Sequence, residues 1–417
     1  MADNKHGGIL ETGDCVVIII GGGAGGLIAA IAAGSIIGGE NVRILEKNDR
    51  VGRKILATGN GRCNLTNINA SVSDYMGEHP EFCSYALRSF SPEKAINFFQ
   101  RLGLVIKIEA DGRAYPKCGM AGAVLDILRN EISRLNIEVI HAEAVNIRFA
   151  HSLFSVYSSK QREVFGQRVI IATGGRAAPV YGSDGGGYDL LIKFGHKLNA
   201  VYPALVQLRT GAADIKALNG IRVTAGISLV KDGDIIARQE GELQFTNYGV
   251  SGIPALNLSG MAGQGSDIVI DFSPDTDDSG LLRLLRKRSE NLSHLDAGQY
   301  FTGFFHKTVG RILLKYAGIP FTMPVSRFTE KELIKLVTAI KSYTAPLSGV
   351  LGFNEAQATG GGIDTDGFDP HTMESYLIKG LYAAGEVLDI YGPCGGYNLQ
   401  WAWASGYLAG KSAASDL

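Results

Sequence analysis

The sequence predicts an α/β protein organised around a βαβ unit near its amino-terminal end, and three observations predict it. The first is a continuous apolar run rich in β-branched residues, Cys15–Ile20, typical of a strand buried on both faces of a parallel sheet. The second is a glycine turn in which Gly21, Gly23 and Gly26 occupy the glycine places of G-x-G-x-x-G. The third is a second strand, NVRILE, which ends at Glu46.

Each part of this unit fits the binding of a dinucleotide. The first glycine permits a tight turn, the second lets a pyrophosphate approach the backbone, and the third lets the helix pack closely on the strand. From Ala24 the chain turns helical, so the N–H groups of that helix N-terminus face the phosphates. Glu46 is placed to accept hydrogen bonds from ribose hydroxyls, and its charge repels a 2′-phosphate. The unit is therefore Rossmann-like, and the expected nucleotide is FAD or NAD.

Composition favours a multidomain protein of the cytoplasm. The chain has 417 residues, and Lys+Arg 40 against Asp+Glu 41 gives a formal net charge of −1, which attracts neither nucleic acid nor an anionic bilayer. Residues 1–14 lack the features of a signal peptide, and no apolar window reaches the ~20 residues that a membrane span needs. Five scattered cysteines indicate neither a disulfide framework nor a metal site. We therefore expect no nucleic-acid partner and no membrane partner.

The rest of the chain predicts a discontinuous nucleotide-binding domain with two inserts. Residues 14–200 and 350–417 would form the nucleotide-binding domain. Between them, residues 201–273 show short alternating segments separated by turns, which predicts an antiparallel sheet or barrel, with a continuation at 320–350 left open. Residues 274–345 predict a small helical domain.

A second glycine-led helix, expected from about Tyr397, decides between the two nucleotides. NAD needs one βαβ unit, whereas a flavin also needs something to hold its far end, and a helix N-terminus there stabilises negative charge on a reduced ring. The sequence therefore favours FAD. The GSDGGG segment at 182–187 suits a loop better than a pyrophosphate site, so a separate nicotinamide domain is not expected. NAD(P)H would have to reach the flavin through the substrate cleft, or oxygen would complete the cycle.

Several motifs carry a resemblance to a known family. GGGAGG, GRKILATGNGRCNLTN, ATGG, TGGGI and CGGYNLQWAWASG occur in the order seen in the BaiN and aminoacetone-oxidase family of bacterial flavoproteins, which is remotely similar to glutathione-reductase-type flavoenzymes. The resemblance spans the chain from Cys15 onward. It implies a three-layer (β/β/α) FAD-binding domain with a barrel-like β-rich insert and a small helical insert. Family activities include reduction of an activated C=C bond and oxidation of an amine.

The resemblance also implies a set of cofactor contacts. The pyrophosphate, ribose, adenine, ribityl chain and ring of FAD are expected along Gly21, Gly23, Ala24, Gly25, Glu46, Lys47, Lys54, Asn60, Gly61, Arg62, Cys63, Asn64, Val145, Thr173, Gly174, Gly385, Glu386, Asn398 and Leu399.

Candidates for catalysis come from the remaining polar residues near these motifs. Tyr397 and Tyr115 are candidates for proton transfer and Arg113 for a substrate anchor, against the alternative that such tyrosines simply pack with their hydroxyls satisfied. Cys63 and Cys394 could form a flavin-linked redox pair, although they do not form a C-x-x-C motif and a cysteine in a packed loop is usually a small buried residue.

The predicted function is that of an FAD-dependent oxidoreductase, in which flavin N5 exchanges hydride with a small organic substrate. Two alternatives stay open at this point. One is an RNA-modifying flavoprotein, which the balanced charge disfavours. The other is a flavin-binding sensor or scaffold without turnover.

Overall fold

The computed structural model describes residues 15–263 and 265–415. The prediction made for residues 1–14 lies outside them. The chain divides into two compact units, the first comprising the residues up to Pro203 and those from Gln357 onward, and the second comprising Ala204–Ala356. The boundaries predicted from the sequence stand at 200/201 and at 350.

The strands and helices are the following. The strands are β1 Cys15–Ile20, β2 Val42–Glu46, β3 Thr66–Asn67, β4 Ile106–Ile108, β5 Arg113–Pro116, β6 Glu138–His141, β7 Ala144–Ala150, β8 Leu153–Ser158, β9 Glu163–Ile171, β10 Tyr202–Ala204, β11 Leu208–Thr210, β12 Arg222–Lys231, β13 Asp234–Phe245, β14 Gly249–Ser251, β15 Ser266–Asp271, β16 Tyr343–Val350, β17 Ala358–Gly360 and β18 Leu381–Ala383. The helices are α1 Ala24–Ile37, α2 Arg53–Ala57, α3 Cys83–Ser89, α4 Pro92–Arg101, α5 Ala121–Arg134, α6 Gly186–Ile192, α7 Ala213–Ala217, α8 Ile253–Leu258, α9 Asp278–Asn291, α10 Lys307–Tyr316, α11 Glu330–Lys341 and α12 Tyr397–Ser415.

The first unit is built on a seven-stranded sheet in the order β6-β2-β1-β9-β8-β7, with β18 also paired to β9. Strands β6, β2, β1, β9 and β18 run parallel, and β7 and β8 add antiparallel strands. The apolar run of β1 lies between two parallel neighbours, which explains its continuous burial. This sheet confirms the predicted α/β fold of Rossmann type.

Helix α1 crosses α12 at very short range, and small residues make this possible. A Cβ atom added to Gly406 would lie 2.3 Å from the carbonyl oxygen of Gly25, and one added to Gly410 would lie 2.2 Å from that of Ala29. Most of α1 is buried, because the helix lies against both α12 and the sheet. The close crossing places the beginning of α12 beside the glycine turn.

The second unit contains a closed barrel in the order β11-β14-β13-β12-β15-β16. Strand β16 falls in the continuation that the sequence left open. Helices α9, α10 and α11 share one hydrophobic core with the barrel, in which Leu281 and Leu336 pack with Ile268 and Phe272. The helices predicted at 274–345 therefore belong to the same unit as the barrel, because their apolar faces are buried against barrel strands. None of the described helices is long and apolar enough to span a bilayer.

Candidate active site

A cavity of the first unit lies at the carboxyl ends of β1, β2 and β9, the edge at which parallel α/β sheets bind ligands. Counted with the solvent at its open side, its empty space is about 1300 Å³. The sequence-predicted residues that line it are Gly21, Gly23, Ala24, Gly25, Glu46, Lys47, Lys54, Thr173, Gly174, Gly385, Glu386, Asn398 and Leu399. One cavity therefore gathers residues from both ends of the chain.

The three glycines of the turn have three different geometries. Gly21 has a φ of 101°, and a Cβ there would lie 2.5 Å from the carbonyl oxygen of Ala172. A Cβ on Gly26 would lie 1.9 Å from the carbonyl oxygen of Gly21, so only glycine lets α1 pack this close to the turn. A Cβ on Gly23 would meet no described atom within 4 Å. Gly23 faces open space, as a backbone that receives a pyrophosphate requires.

Glu46 ties the glycine turn to the loop that follows β2. Its carboxylate is buried, with Oε2 accepting a hydrogen bond from the Gly22 N–H at 2.8 Å. Oε1 accepts from the Asn48 backbone N–H at 2.8 Å and from Asn48 Nδ2 at 2.7 Å. A carboxylate offers about two acceptor positions on each oxygen, so Oε2 keeps one for a further donor such as a ribose hydroxyl.

An ion pair between Lys54 and Glu386 joins two distant segments at the cavity wall. Lys54 Nζ lies 2.8 Å from Glu386 Oε2, and Glu386 Oε1 accepts a hydrogen bond from the Thr359 N–H at 2.7 Å. A second cavity lysine, Lys47, pairs with Asp184 at 2.6 Å. Burial, the largest single effect, raises the pKa of the Asp184 carboxyl. The hydrogen bonds from Lys47 and from the Gly186 N–H, together with the charge of Lys47, outweigh burial and hold this pKa below its usual value.

The start of α12 is held rigidly against the cavity. The Asn398 side chain accepts from the Gly392 N–H at 2.9 Å and donates to the Gly392 carbonyl at 2.8 Å. Trp401 Nε1 donates to the Gly385 carbonyl at 3.1 Å, and the Gly385 N–H donates to Ser405 Oγ at 2.9 Å. These bonds fix the Gly385 turn, which also lines the cavity.

Two buried polar atoms test whether these residues fit a flavin nucleotide. Thr173 Oγ1, on a residue that lines the cavity, and Asn64 Oδ1 have no hydrogen-bond partner among the described residues. A Cβ added to Gly396, just before α12, would lie 2.9 Å from Asn64 Oδ1. Buried polar groups are rarely left unpaired in the absence of a ligand or water. An unpaired hydroxyl in the wall, an open glycine turn and a spare acceptor on Glu46 fit the donors and acceptors of FAD.

Five of the residues predicted to contact the cofactor do not line the cavity. Asn60, Gly61, Arg62, Cys63 and Asn64 are not among its lining residues, whereas Thr58 is. The reason is the backbone: Gly59 and Asn60 adopt left-handed conformations, with φ of 57° and 55°, and turn the following residues away. Cys63 and Asn64 are buried in the core instead.

Val145, predicted to contact adenine, does not line the cavity and is 48 % exposed, whereas Ala142, Glu143 and Ala144 line it. The pairing of β7 with β8 shifts between Ala144 and Asn146, so Val145 lies in a β-bulge, outside the regular alternation of side chains. The cavity wall therefore contains the residues one to three positions before Val145.

Sequence reasoning missed the segment at 182–187 as part of this site. Gly182, Ser183, Asp184, Gly186 and Gly187 all line the cavity, as do Arg53, Gln357 and Ala402. The glycine clustering of GSDGGG was the available signal, but a loop that follows a short turn lacks the strand that makes a glycine motif specific.

Arg113, Tyr115 and Tyr397 lie next to the cavity and do not line it. Arg113 and Tyr115 belong to β5, the central strand of a small sheet in the order β3-β5-β4. A Cβ on Gly395 would lie 3.4 Å from the Tyr397 ring and 3.6 Å from Arg113 Nε, so the three chain segments meet at this glycine. Burial raises the pKa of Tyr397, and Arg113 acts in the opposite direction.

The raised pKa values of Cys63 and Cys394 disfavour the redox pair suggested for them. Burial raises the pKa of both thiols to about 12. Thiolates are the reactive form, and reactive cysteines have lowered pKa values. Cys63 is fully buried and Cys394 is half-buried.

A family model described as HI0933-like protein Rossmann domain matches residues 15–412. The chain belongs to this family. It is 38% identical over 395 residues to a 3-dehydro-bile acid delta(4,6)-reductase from Clostridium scindens, covering 93% of this chain and 96% of that protein. It is 29% identical over 380 residues to a ribosomal RNA dihydrouridine synthase from Escherichia coli, covering 89% and 92%.

Among solved structures, the chain resembles an E. coli quinol fumarate reductase FrdA, with a TM-score of 0.50 and 17% identity, over 96% of this chain and 70% of that one. This likeness concerns the fold. The resemblance drawn from the motifs, the fold class and the expectation of an enzyme of the oxidoreductase class are thereby confirmed.

Proposed function

We propose that this member of the HI0933-like family is an FAD-dependent oxidoreductase that reduces an activated C=C bond. The observation that carries the proposal is a single cavity lined both by the G-x-G-x-x-G turn with Glu46 and by the Lys54–Glu386 pair with the start of α12. The first set suits a pyrophosphate and ribose, and the second suits the ring of the same dinucleotide.

Bound FAD supplies hydride exchange at flavin N5, and the protein supplies binding, orientation and charge. The N–H groups at the start of α1 and the open Gly23 bind the pyrophosphate. Glu46 accepts from a ribose hydroxyl through its spare position on Oε2. Lys54, held by Glu386, and the N-terminus of α12 place positive potential beside the ring, where negative charge accumulates on reduction.

The chain offers two groups for the proton that must accompany hydride in a C=C reduction. Tyr397 lies next to Gly395, and Tyr115, on the same strand as Arg113, lies next to Gly59. Burial raises the pKa of Tyr397, which keeps its hydroxyl protonated at neutral pH and able to donate. Arg113, whose Nε lies near the same glycine as the Tyr397 ring, is the group proposed to anchor the substrate.

The reaction class follows from the chemistry that the relatives' names describe. A 3-dehydro steroid with 4,6 unsaturation and a uridine each contain a C=C bond conjugated with a carbonyl group. Hydride adds to the carbon remote from the carbonyl, and a proton completes the saturated product. This shared chemistry supports C=C reduction over amine oxidation, the other activity implied by the resemblance.

A second candidate is an RNA-modifying flavoprotein that saturates a uridine ring. The relatives named ribosomal RNA dihydrouridine synthase, from E. coli and from Haemophilus influenzae at 26% identity, favour it. The two candidates share the chemistry and differ in the size of the molecule that presents the double bond.

The test is an anaerobic titration of the purified FAD-loaded protein with NADH and with NADPH, followed by stopped-flow mixing with enones, amines and a uridine-containing RNA. We expect one nicotinamide to bleach the flavin absorbance and an enone or the RNA to restore it. If neither the enones nor the RNA reoxidises the reduced flavin, the proposal is overturned. If an amine reduces the flavin directly, amine oxidation replaces C=C reduction as the function.

A further inference from the structure

The sheet β3-β5-β4 presents four polar side chains on one face. In the pairing register Asn67 lies opposite Arg113, and Lys107 lies opposite Tyr115. Paired residues share a face, and residues two apart on a strand also share it, so all four side chains project the same way. Arg62 covers Tyr115, with its guanidinium carbon 4.1 Å from the ring centroid. We call these five residues the cationic face.

Positive charge exceeds negative charge on this face. Arg62 pairs with Glu109 at 3.3 Å, and Arg113 Nε lies 3.1 Å from Asp111. Lys107 is exposed and forms no ion pair with any described residue. An arginine has five N–H donors, and one carboxylate uses at most two of them, so both guanidinium groups keep donors for a second anion.

The Tyr115 ring holds Arg62 in position for such a contact. The guanidinium carbon lies at a cation–π distance from the ring, and the Arg62 side chain is 46 % exposed, so its N–H donors stay accessible. Tyr115 itself is only 5 % exposed, so the surrounding core supports this position. Arg62, which the resemblance predicts to contact the cofactor, contacts Tyr115 on this face.

The cationic face adjoins the cavity through the turn before α12. Asn67 Nδ2 donates to the Gly395 carbonyl at 3.3 Å, and a Cβ on Gly395 would lie 3.6 Å from Arg113 Nε. Three residues further on, Asn398 lines the cavity. A molecule whose reacting bond lies in the cavity can therefore reach the face with another part of its skeleton.

We propose that the cationic face is an anion subsite that binds a carboxylate or phosphate group of the substrate. The inference rests on the proposed function, because it concerns the molecule whose C=C bond is reduced at the flavin. Arginine forks match both oxyanions in geometry, so the shared chemistry is a planar or tetrahedral oxyanion carried away from the reacting bond. The face thus sets which enones the enzyme prefers.

The experiment compares matched substrates on the FAD-loaded enzyme. One pair is a carboxylated steroid enone and its neutral methyl ester, and the other is uridine 5′-monophosphate and uridine. For each, kcat/KM is measured, and a dissociation constant is obtained from the shift in flavin absorbance on binding. We expect an acid-over-ester or phosphate-over-nucleoside preference of about 10-fold or more, as a charge-assisted hydrogen bond supplies. The pair that shows it identifies the source of the anion.

Variants locate the preference on the face. Arg62→Gln and Lys107→Gln should each reduce the preference, by about 10-fold for Arg62, mainly through KM and the dissociation constant. Arg101→Gln removes an exposed arginine at the end of α4 and should leave the preference unchanged. FAD content and thermal unfolding report whether each variant folds.

Three outcomes distinguish failure of the subsite from failure of the proposed function. If enones or uridines are reduced but charged and neutral members of each pair perform equally, the subsite is disproved while the proposed function stands. The subsite is likewise disproved if Arg62→Gln and Arg101→Gln change the preference alike. If no member of either pair reoxidises the reduced flavin, the proposed function fails with it.

Discussion

The glycine turn and the cationic face are two neighbouring parts of one unit, and they recognise ligands by opposite means. At the turn, recognition depends on the backbone. Gly21 and Gly26 are required because a Cβ atom would collide with neighbouring backbone, and Gly23 leaves its backbone open to a ligand. On the cationic face, recognition depends on side chains. Asn67, Lys107, Arg113 and Tyr115 project from paired strands, and Arg62 covers Tyr115 from the preceding loop.

This difference explains what each region can recognise. A backbone cradle fits a group that is the same in every dinucleotide, the pyrophosphate, and cannot be retuned without rebuilding the turn. Side chains on a small sheet can be exchanged one at a time while the strands stay paired. The turn is therefore suited to a constant cofactor and the face to a substrate that differs among relatives.

The largest effect is expected from the two tyrosines proposed for proton transfer, Tyr397 and Tyr115. Tyr397→Phe should lower the rate of substrate-dependent flavin reoxidation by about 10²–10⁴-fold if its hydroxyl delivers the proton, the usual worth of a general acid. FAD affinity should not change, because Tyr397 does not line the cavity. Single-turnover stopped-flow measurement at saturating substrate checks the rate.

Tyr115→Phe is the matched partner of that variant. Both changes remove one phenol hydroxyl, and Tyr115 is the more buried of the two residues. The variant with the larger loss identifies the donor. If both variants lose only a little of the reoxidation rate, and by equal amounts, neither tyrosine delivers the proton.

Gly26→Ala is expected to have the next largest effect, and it tests the packing of the glycine turn. Its Cβ would lie 1.9 Å from the Gly21 carbonyl oxygen, so the turn or α1 must move. We expect FAD affinity to fall by about 100-fold and the free energy of unfolding to fall by about 3 kcal/mol, typical of a substitution that overpacks a core. Fluorescence titration with FAD and chemical denaturation measure the two.

Gly122→Ala provides the control for that change. Gly122 lies in α5, and a Cβ there would meet no described atom within 4 Å. Replacing a helix glycine with alanine should stabilise the protein by up to about 1 kcal/mol and leave FAD affinity alone. A Gly26→Ala protein that behaved like Gly122→Ala would contradict the packing role given to Gly26.

Sequence alone predicted the backbone region well and the side-chain region poorly, for a physical reason. The glycine turn, the strand before it and Glu46 are close in the chain, and each local pattern has one structural solution. The cationic face depends on pairing Asn67 with Arg113 and Lys107 with Tyr115, a register that no local pattern specifies. Likewise, no local pattern predicts the left-handed backbone of Gly59 and Asn60, which precedes the contact of Arg62 with Tyr115.

Glu46→Gln tests the charged anchor of the backbone region. Gln keeps the size of the side chain but replaces one oxygen with an NH₂ group that would face the Gly22 or Asn48 donors. The loss of a charge-assisted hydrogen bond, about 1.5–2 kcal/mol, should weaken FAD binding by about 10- to 30-fold. Calorimetric titration of the apoprotein measures it. Unchanged affinity would mean that the glycine turn alone holds the nucleotide.

The smallest effect is expected at Lys54 and Glu386, the ion pair that lines the same cavity as the glycine turn. Lys54→Met removes the cation but keeps most of the stem, so FAD should still bind. Loss of a positive charge beside the ring destabilises the reduced, more negative flavin by about 1 kcal/mol, which lowers the two-electron reduction potential by about 20 mV. Spectroelectrochemical titration of the bound flavin measures the shift.

Lys47→Met is the matched control, because Lys47 also lines the cavity and also pairs with a carboxylate, Asp184. If Lys47 serves the nucleotide end, its removal should leave the potential unchanged and weaken FAD binding slightly. The double variant of Lys54→Met with Glu386→Gln restores the local net charge and should return the potential towards its original value. Equal shifts for Lys47→Met and Lys54→Met would mean that the ring senses only the total charge of the cavity, and the assignment of Lys54 to the ring would fail.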